Sequence, residues 1–501
     1  MKRTLFALIV CGLAVVALAQ SRSAQRPKLV VGIVVDQMRW EYLDRYYDRF
    51  SDNGFRLMMD QGFSCNNCQI NYIPTVTAIG HTSVYTGTTP AYHGICGNNF
   101  YIDGRYTYCC ADTTVQTVGS KSTKGQMSPR NMLATTIGDQ LRLHTDFQSR
   151  VIGVSYKDRA AILPAGHAAN AAFWIDTNHS CFVSSTYYMN ELPEWVQEQN
   201  RRMSRDKAVQ QAGKDIGLTP LCGTLTTDLA IAALTNEHLG QGPETDMLCV
   251  SYSQTDVIGH RWGTRGPKTD EAYLALDTDL SRLFEALDTH VGKGEYLVFL
   301  TADHGAVHNR QFLMDHHLPA GEWQEPDIKD KAEAYLQGLF RNSRHLIAGE
   351  SSYRFFLDQT AITEEGLEYS SVKAALINYL KTLPKVSCVI DYENAAKQPL
   401  PPLIRERALM GYHYRRSGDI LVVCDPAVYT AASWMSKEGT THGQWNPYDS
   451  HIPLLFYGWH IPHGATSAEV HITDIAPTVC QMLHIQEPNA CSGSPITALT
   501  H

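Results

Sequence analysis

The 501-residue sequence has no Walker-type glycine loop, no G-x-G-x-x-G fingerprint, no internal repeat and no low-complexity tract. Those absences set aside the familiar glycine-rich phosphate cradles, repeat arrays and disordered chains. Positive charge is not in excess either. Lys+Arg 42 against Asp+Glu 51 gives a net charge of -9, the wrong sign for a chain that gains affinity from phosphate backbones, so nucleic acid is not expected as a partner. Beyond the first twenty residues no apolar run approaches the ~20 residues that a membrane-spanning helix needs. Gly 36 and Pro 22 fit neither collagen nor a flexible linker, and 44% hydrophobic with 19% charged residues describes a globular chain with a large core. The length corresponds to about three domains, or to one large α/β domain carrying insertions.

The N-terminus stands apart. Lys2 and Arg3 precede an apolar run from Leu5 to Ala19 that closes on Ala17-Leu18-Ala19. This pattern is expected to be a secretory signal peptide over residues 1–19, the alternative being an N-terminal anchor. Its removal leaves 40 basic and 51 acidic residues, a net charge of -11, and twelve of the 13 cysteines. The chain is then periplasmic or secreted, where disulfides are permitted, although their pairing is not legible. Cys65 and Cys68 form a C-x-x-C pair in what reads as a polar loop; with no second pair, a structural bridge or plain burial is favoured over redox chemistry.

Four short apolar runs end in polar residues at the same relative point. Leu29 to Val35 stops at Asp36, Val151 to Val154 leads to Lys157-Asp158-Arg159, Met247 to Val250 leads to Asp256, and Tyr296 to Leu300 stops at Asp303-His304. Continuous runs of this kind suit parallel strands covered on both faces. Helical spacing lies between them, in Tyr273, Leu276, Leu280, Leu283, Phe284 and Leu287 and in Thr226 to His238. The expected fold class is α/β, a mostly parallel central sheet with helices on both faces, spanning residues 20–501. Residues 175–220 and 310–435 break the alternation and read as inserted cap elements over the strand ends, where ligands bind in such sheets.

Each Asp or His alone is an ordinary loop residue; the set is what carries weight. Asp256 and His260 stand one helical turn or one tight loop apart, Asp303-His304 follows a buried strand, Asp36 ends the first strand, and His442-Gly443 precedes the run from Ile452 to Phe456. Three Asp and three His converging on one rim would make two three-ligand sites with open positions, and mixed imidazole and carboxylate donors favour zinc over magnesium. In the segment Tyr72 to Ser83, Thr77 is either an N-cap or a hydroxyl activated at a helix start and by a metal.

Taken together, Asp36, the Pro-Thr-x-Thr segment with Thr77, the Gly87 turn, His93-Gly94-Ile95, Asn98, Asp256-x3-His260, Asp303-His304-Gly305 and His442-Gly443 resemble the alkaline phosphatase superfamily. The nearest branch joins nucleotide pyrophosphatase/phosphodiesterases with bacterial phosphate-irrepressible alkaline phosphatases that use threonine. The resemblance implies two zinc ions, one held by Asp256, His260 and His442, the other by Asp36, Asp303 and His304 and also binding Thr77. It implies Thr77 as nucleophile through a covalent phosphothreonine, and Asn98 as a donor to a phosphoryl oxygen. The sequence lacks the C/S-x-P-x-R motif of arylsulfatases and the Asp-Ser-Ala segment of serine phosphatases. It has Lys157 and Arg159, similar to the Lys-x-Arg pair of the threonine-using monoesterases, whose charges would meet the extra anionic oxygen of a monoester. The expectation is an exported alkaline phosphatase acting on small phosphate monoesters. The alternatives are a phosphodiesterase or nucleotide pyrophosphatase on the same scaffold, and a non-catalytic zinc- or phosphate-binding protein.

Overall fold

The computed structural model describes residues 26–102, 104–430 and 437–500; the expected signal segment 1–19 lies outside them. Five strands run parallel at the centre of a ten-stranded sheet: β1 (Leu29–Val35), β2 (Val151–Ser155), β3 (Ala171–Asp176), β4 (Asp246–Tyr252) and β5 (Tyr296–Thr301). Their spatial order is β5-β1-β4-β2-β3. Every residue of these five strands is buried, as helices on both faces require, and this is why the sequence shows continuous apolar runs instead of alternation. Because all five run the same way, Asp36, Lys157, Asp256 and Asp303 emerge on one rim.

The flanks of the sheet depart from the parallel pattern. The run from Ile452 to Phe456 is two strands, His451–Ile452 and Leu454–Gly458, separated by Pro453, which has no N–H to give to a ladder. Leu454–Gly458 then pairs antiparallel with β5. Cys65 and Cys68 do not sit in an exposed polar loop: both are buried at strand ends, Phe63–Cys65 and Cys68–Gln69.

Residues 175–220 begin inside β3 and continue as the strand Cys181–Ser185, antiparallel to it. The helices Glu194–Arg205 and Lys207–Ala212 follow, and a 3-10 turn, Gly213–Leu218, packs on the helix Gln254–Trp262. The second interruption builds a core of its own. Strands Ile347–Ser351, Arg354–Leu357, Ile420–Cys424 and Val386–Asp391 form a separate antiparallel sheet in that order, packed by the helices Glu325–Phe340 and Tyr369–Leu380 around Leu336, Phe355, Leu376 and Val422. Among the described residues no single helix is long and apolar enough to cross a membrane.

The helix Thr77–Thr86 is buried along its whole length and rests on the end of β5. Gly80 makes that approach feasible: a Cβ there would lie 2.3 Å from the Asp303 carbonyl oxygen and 2.7 Å from its Cα. Backbone atoms at a strand end cannot step aside as a flexible side chain does. Gly80→Ala should therefore destabilise the protein by about 1–3 kcal/mol or more, as overpacking does, measured by urea unfolding.

Candidate metal centre and active site

Thr77 is the first residue of its helix and Val76 precedes it as the cap residue, so the threonine hydroxyl is not spent on capping. It is buried, and its Oγ1 lies 3.4 Å from His304 Nε2. Asn98 comes from the loop after the short helix Pro90–His93, and its Oδ1 accepts the Ala78 N–H at 3.0 Å, which leaves the amide NH2 to donate. The Asn98 loop and the Thr77 helix are tied again by buried His93, which takes the Ile95 N–H on Nδ1 and meets Ser83 Oγ at 3.1 Å.

Two groups of donors face each other on the rim. Asp256, His260 and His442 have one ligand atom each within 4.8 Å of one another, as do Asp36, Asp303 and His304. Asp256 and His260 lie one turn apart on the helix Gln254–Trp262. The His304 and His442 rings stack at 3.4 Å between centroids, which brings the two groups side by side.

The orientation of the three imidazoles follows from the main chain. Nδ1 of His304 donates to the Gly305 carbonyl at 3.0 Å, Nδ1 of His260 to that of Thr440 at 2.8 Å, and Nδ1 of His442 to that of Thr75 at 2.6 Å. All three Nε2 atoms therefore point inward, toward carboxylate oxygens. His304 Nε2 lies 3.4 Å from Asp303 Oδ2 and 3.6 Å from Asp36 Oδ1; His260 Nε2 lies 3.0 Å and His442 Nε2 3.7 Å from Asp256 Oδ1. Burial lowers the pKa of both His304 and His442, the latter strongly, so these rings are neutral and present lone pairs to acceptors. Asp36 Oδ1 and Asp303 Oδ2 are buried with no hydrogen-bond partner. Burial, followed by the Asp256 and Asp303 charges, raises the Asp36 carboxyl well above its ordinary range. Acceptors aimed at acceptors, with orphaned carboxylate oxygens between them, are the donor set of a cation site, and the fixed Nδ1–H bonds are its usual support.

The other sequence-predicted residues meet here as well. Lys157 Nζ lies 2.6 Å from both Asp36 Oδ2 and Asp256 Oδ2, bridging the two groups. Three carboxyl groups face this one ammonium, so full ionisation of Asp36, Asp256 and Asp303 would leave two negative charges uncompensated. Arg159, in the first turn of the helix Asp158–Ala165, donates Nη1 to the Tyr108 hydroxyl at 3.1 Å, while that hydroxyl donates to Asp158 at 2.5 Å.

Several supporting residues carry no sequence motif. The Gln37 N–H donates to Asp303 Oδ1 at 3.1 Å and its Nε2 to Asp256 Oδ1 at 2.6 Å, so one glutamine orients a ligand in each group. His81, one turn after Thr77, donates Nδ1 to the Thr77 carbonyl at 2.9 Å and lies 3.3 Å from Asp303 Oδ2. Buried Asp449 accepts the N–H groups of Gly443 and Gln444, and burial pushes its carboxyl up to about 8 despite those amides. Gln37 and His81 lie next to singled-out residues, a proximity signal; Asp449 gave none.

Comparison with known proteins places the chain in a family. A family model described as type I phosphodiesterase / nucleotide pyrophosphatase matches residues 30–449. The alkaline phosphatase PafA of Elizabethkingia meningoseptica is 42% identical over 525 residues, covering 95% of this chain and 95% of that protein. A Myroides odoratus protein named calcium-transporting ATPase is 40% identical over 543 residues, covering 99% of this chain and 98% of its own. The 1.7 Å crystal structure of wild-type PafA matches with a TM-score of 0.92 at 41% identity, covering 96% of this chain and 100% of that one.

A cation that neutralises this cluster should stabilise the fold by mass action. Stripping the protein with a chelator should lower Tm, and adding zinc should restore it more fully than magnesium, because each group contains imidazole. Equal recovery with magnesium would contradict the donor argument. His260→Ala and His442→Ala act on one ligand group, so their losses of metal affinity should be similar and should not add in the double variant.

Proposed function

Because the chain belongs to the type I phosphodiesterase/nucleotide pyrophosphatase family and is, within it, an alkaline phosphatase, we propose that it hydrolyses phosphate monoesters with two zinc ions and Thr77 as nucleophile. The observation that carries this reading is the position of Thr77 Oγ1, at the buried start of a helix and beside His304 Nε2, with Asn98 held on the next amide.

Asp256, His260 and His442 would hold one ion, and Asp36, Asp303 and His304 the other. Zinc in these groups would supply Lewis acidity, lowering the pKa of the hydroxyl and of the incoming water and offsetting charge on the departing ester oxygen. Thr77 Oγ1 forms the new bond to phosphorus while the ester oxygen leaves from the opposite side, giving a phosphothreonine and the free alcohol. Water then attacks the phosphorus, the Thr77 C–O–P linkage opens at its P–O bond, and inorganic phosphate departs. The positive end of the helix dipole favours negative charge on Thr77 throughout.

Asn98 donates its amide to a phosphoryl oxygen, oriented by the Ala78 contact. Lys157 stands where the two ligand groups meet, so its charge acts on an anion that bridges them. Arg159 follows two residues later with its guanidinium tethered by Tyr108. Together they match the dianionic phosphoryl group of a monoester, which carries one more charged oxygen than a diester. The basic-then-apolar segment at residues 2–19 supports export to the periplasm or medium, where small phosphate esters are the substrates.

Thr77→Ala should abolish turnover while leaving metal content near that of the parent, since the three protein ligands of the adjacent ion remain. Retained labelling by a radioactive phosphate ester in the alanine variant would exclude Thr77 as the nucleophile. The Lys157→Ala/Arg159→Ala double variant should lose roughly 10^3-fold or more in kcat/KM for a monoester, and much less for a diester with the same leaving group. Equal losses would mean that the pair supports the site without selecting monoesters.

A further inference from the structure

Asn98 reaches the site on a loop with no regular structure of its own. The helix Pro90–His93 ends at Gly94, and the next strand, Asn99–Ile102, begins after Asn98. Gly94 takes the left-handed conformation, with φ +71°, that turns the chain away from the helix toward Asn98. Such a loop can present a side chain accurately only if its main chain is held from outside.

The hold comes from the second insertion. Arg416 lies in the turn between the helix Pro402–Met410 and the strand Ile420–Cys424. Its Nη1 donates to the Gly94 carbonyl at 2.7 Å and to the Asn131 carbonyl at 2.6 Å, one N–H for each. Its Cζ lies 5.7 Å from the centre of the buried Phe100 ring, within reach of a cation–π contact. One guanidinium therefore touches the loop at Gly94 on one side of Asn98 and at Phe100 on the other. The Asn131 carbonyl opens a second route to the same residue. Asn131 Nδ2 donates to the Cys109 carbonyl at 3.2 Å, and the Cys109 N–H donates to the Asn98 carbonyl at 2.9 Å.

Both ends of this linkage are tightly fitted. A Cβ on Gly94 would lie 2.8 Å from Arg416 Nη1 and 2.7 Å from Leu133 Cδ1. At the other end the Arg416 N–H donates to the His413 carbonyl at 2.9 Å, and the His413 N–H donates to Ser417 Oγ at 2.9 Å, which closes the turn. A rigid arm between two fixed segments transmits the position of one to the other.

We infer that Arg416 is a positioning residue for Asn98: through this guanidinium the second insertion sets where the Asn98 amide stands beside the start of the Thr77 helix. The inference rests on the reading in which that amide donates to a phosphoryl oxygen. Arg416 acts through the loop and takes no part in bond making.

A double-variant cycle on the metal-loaded full chain separates this role from general support of the fold. Arg416→Met should weaken the affinity for inorganic phosphate, measured by calorimetry, and lower monoester kcat/KM, each by about ten-fold, with metal content near that of the parent. In the Asn98→Ala background the same substitution should change both quantities by less than about two-fold, because the side chain it positions is gone. Arg416→Lys keeps the charge and a donor but not the planar fork, and should fall between the parent and Arg416→Met. Equal losses in the two backgrounds would overturn the inference and leave Arg416 as a fastening of the insertion. Unchanged phosphate affinity and turnover in Asn98→Ala alone would remove Asn98 from the phosphoryl site, and the role of Arg416 with it. Absence of monoester turnover in the parent would defeat the phosphatase reading alone, since the phosphate titrations still close the cycle. Should Arg416→Met fail to fold, Arg416→Lys carried through both backgrounds decides the matter.

Discussion

Three carboxylates buried within a few ångströms of one another, with a single ammonium among them, set the terms for the whole rim of this sheet. Like charges at such separations repel strongly where water is excluded. The fold answers with Lys157 pinned between Asp36 and Asp256, with burial driving Asp36 toward its acid form, and with imidazole lone pairs directed at the remaining oxygens. None of these measures balances the charge, which is why the cluster makes sense as a place for dications. The parallel sheet makes the convergence unavoidable: strands aligned side by side in one direction deliver their final residues to one edge.

What keeps the cluster ordered is main-chain architecture. Each histidine of the two groups is turned by a backbone carbonyl, and one of those carbonyls belongs to Thr75, two residues before Thr77. Gln37 spans the two ligand groups from the residue after Asp36. Thr77, the clustered carboxylates and imidazoles and their supports are thus interleaved along the same short segments, so that placing one places its neighbours. An alkoxide-forming hydroxyl and the charges that stabilise it gain most when they need no rearrangement at the moment of reaction.

How far this was legible in the sequence depended on the kind of signal. The central strands were readable because burial on both faces removes alternation, and Leu29 to Val35 or Tyr296 to Leu300 leave little other reading. The two Asp/His groups that converge on the rim were readable as an ordered series of Asp and His after those strands. Thr77 was not decided by local sequence, since a threonine before a helix is as good a cap as a nucleophile; that the helix starts at Thr77 itself, one residue earlier than a Thr77 cap would require, is a tertiary fact. The Pro453 break was visible as a proline but not as a reversal of strand direction. Carbonyl acceptors such as those of Thr75, Gly305 and Thr440 have no residue signature at all, because every residue carries one. Asp449, whose partners are the amides of Gly443 and Gln444, was hidden for the same reason.

The second insertion possesses its own hydrophobic core, and the cluster of side chains that forms it includes one residue from the segment leading to Thr77, Ile73. That residue is gripped on its backbone: its N–H donates to the Arg407 carbonyl, and its own carbonyl lies so near Gly411 that a Cβ there would collide with it. Only three residues separate Ile73 from Thr77. Inheritance of the two layers is therefore uneven. Substitutions inside that core act on packing that is separate from the rim of the central sheet. Substitutions at the Ile73 fastening lack that separation, because they load the lever arm on which Thr77 is mounted.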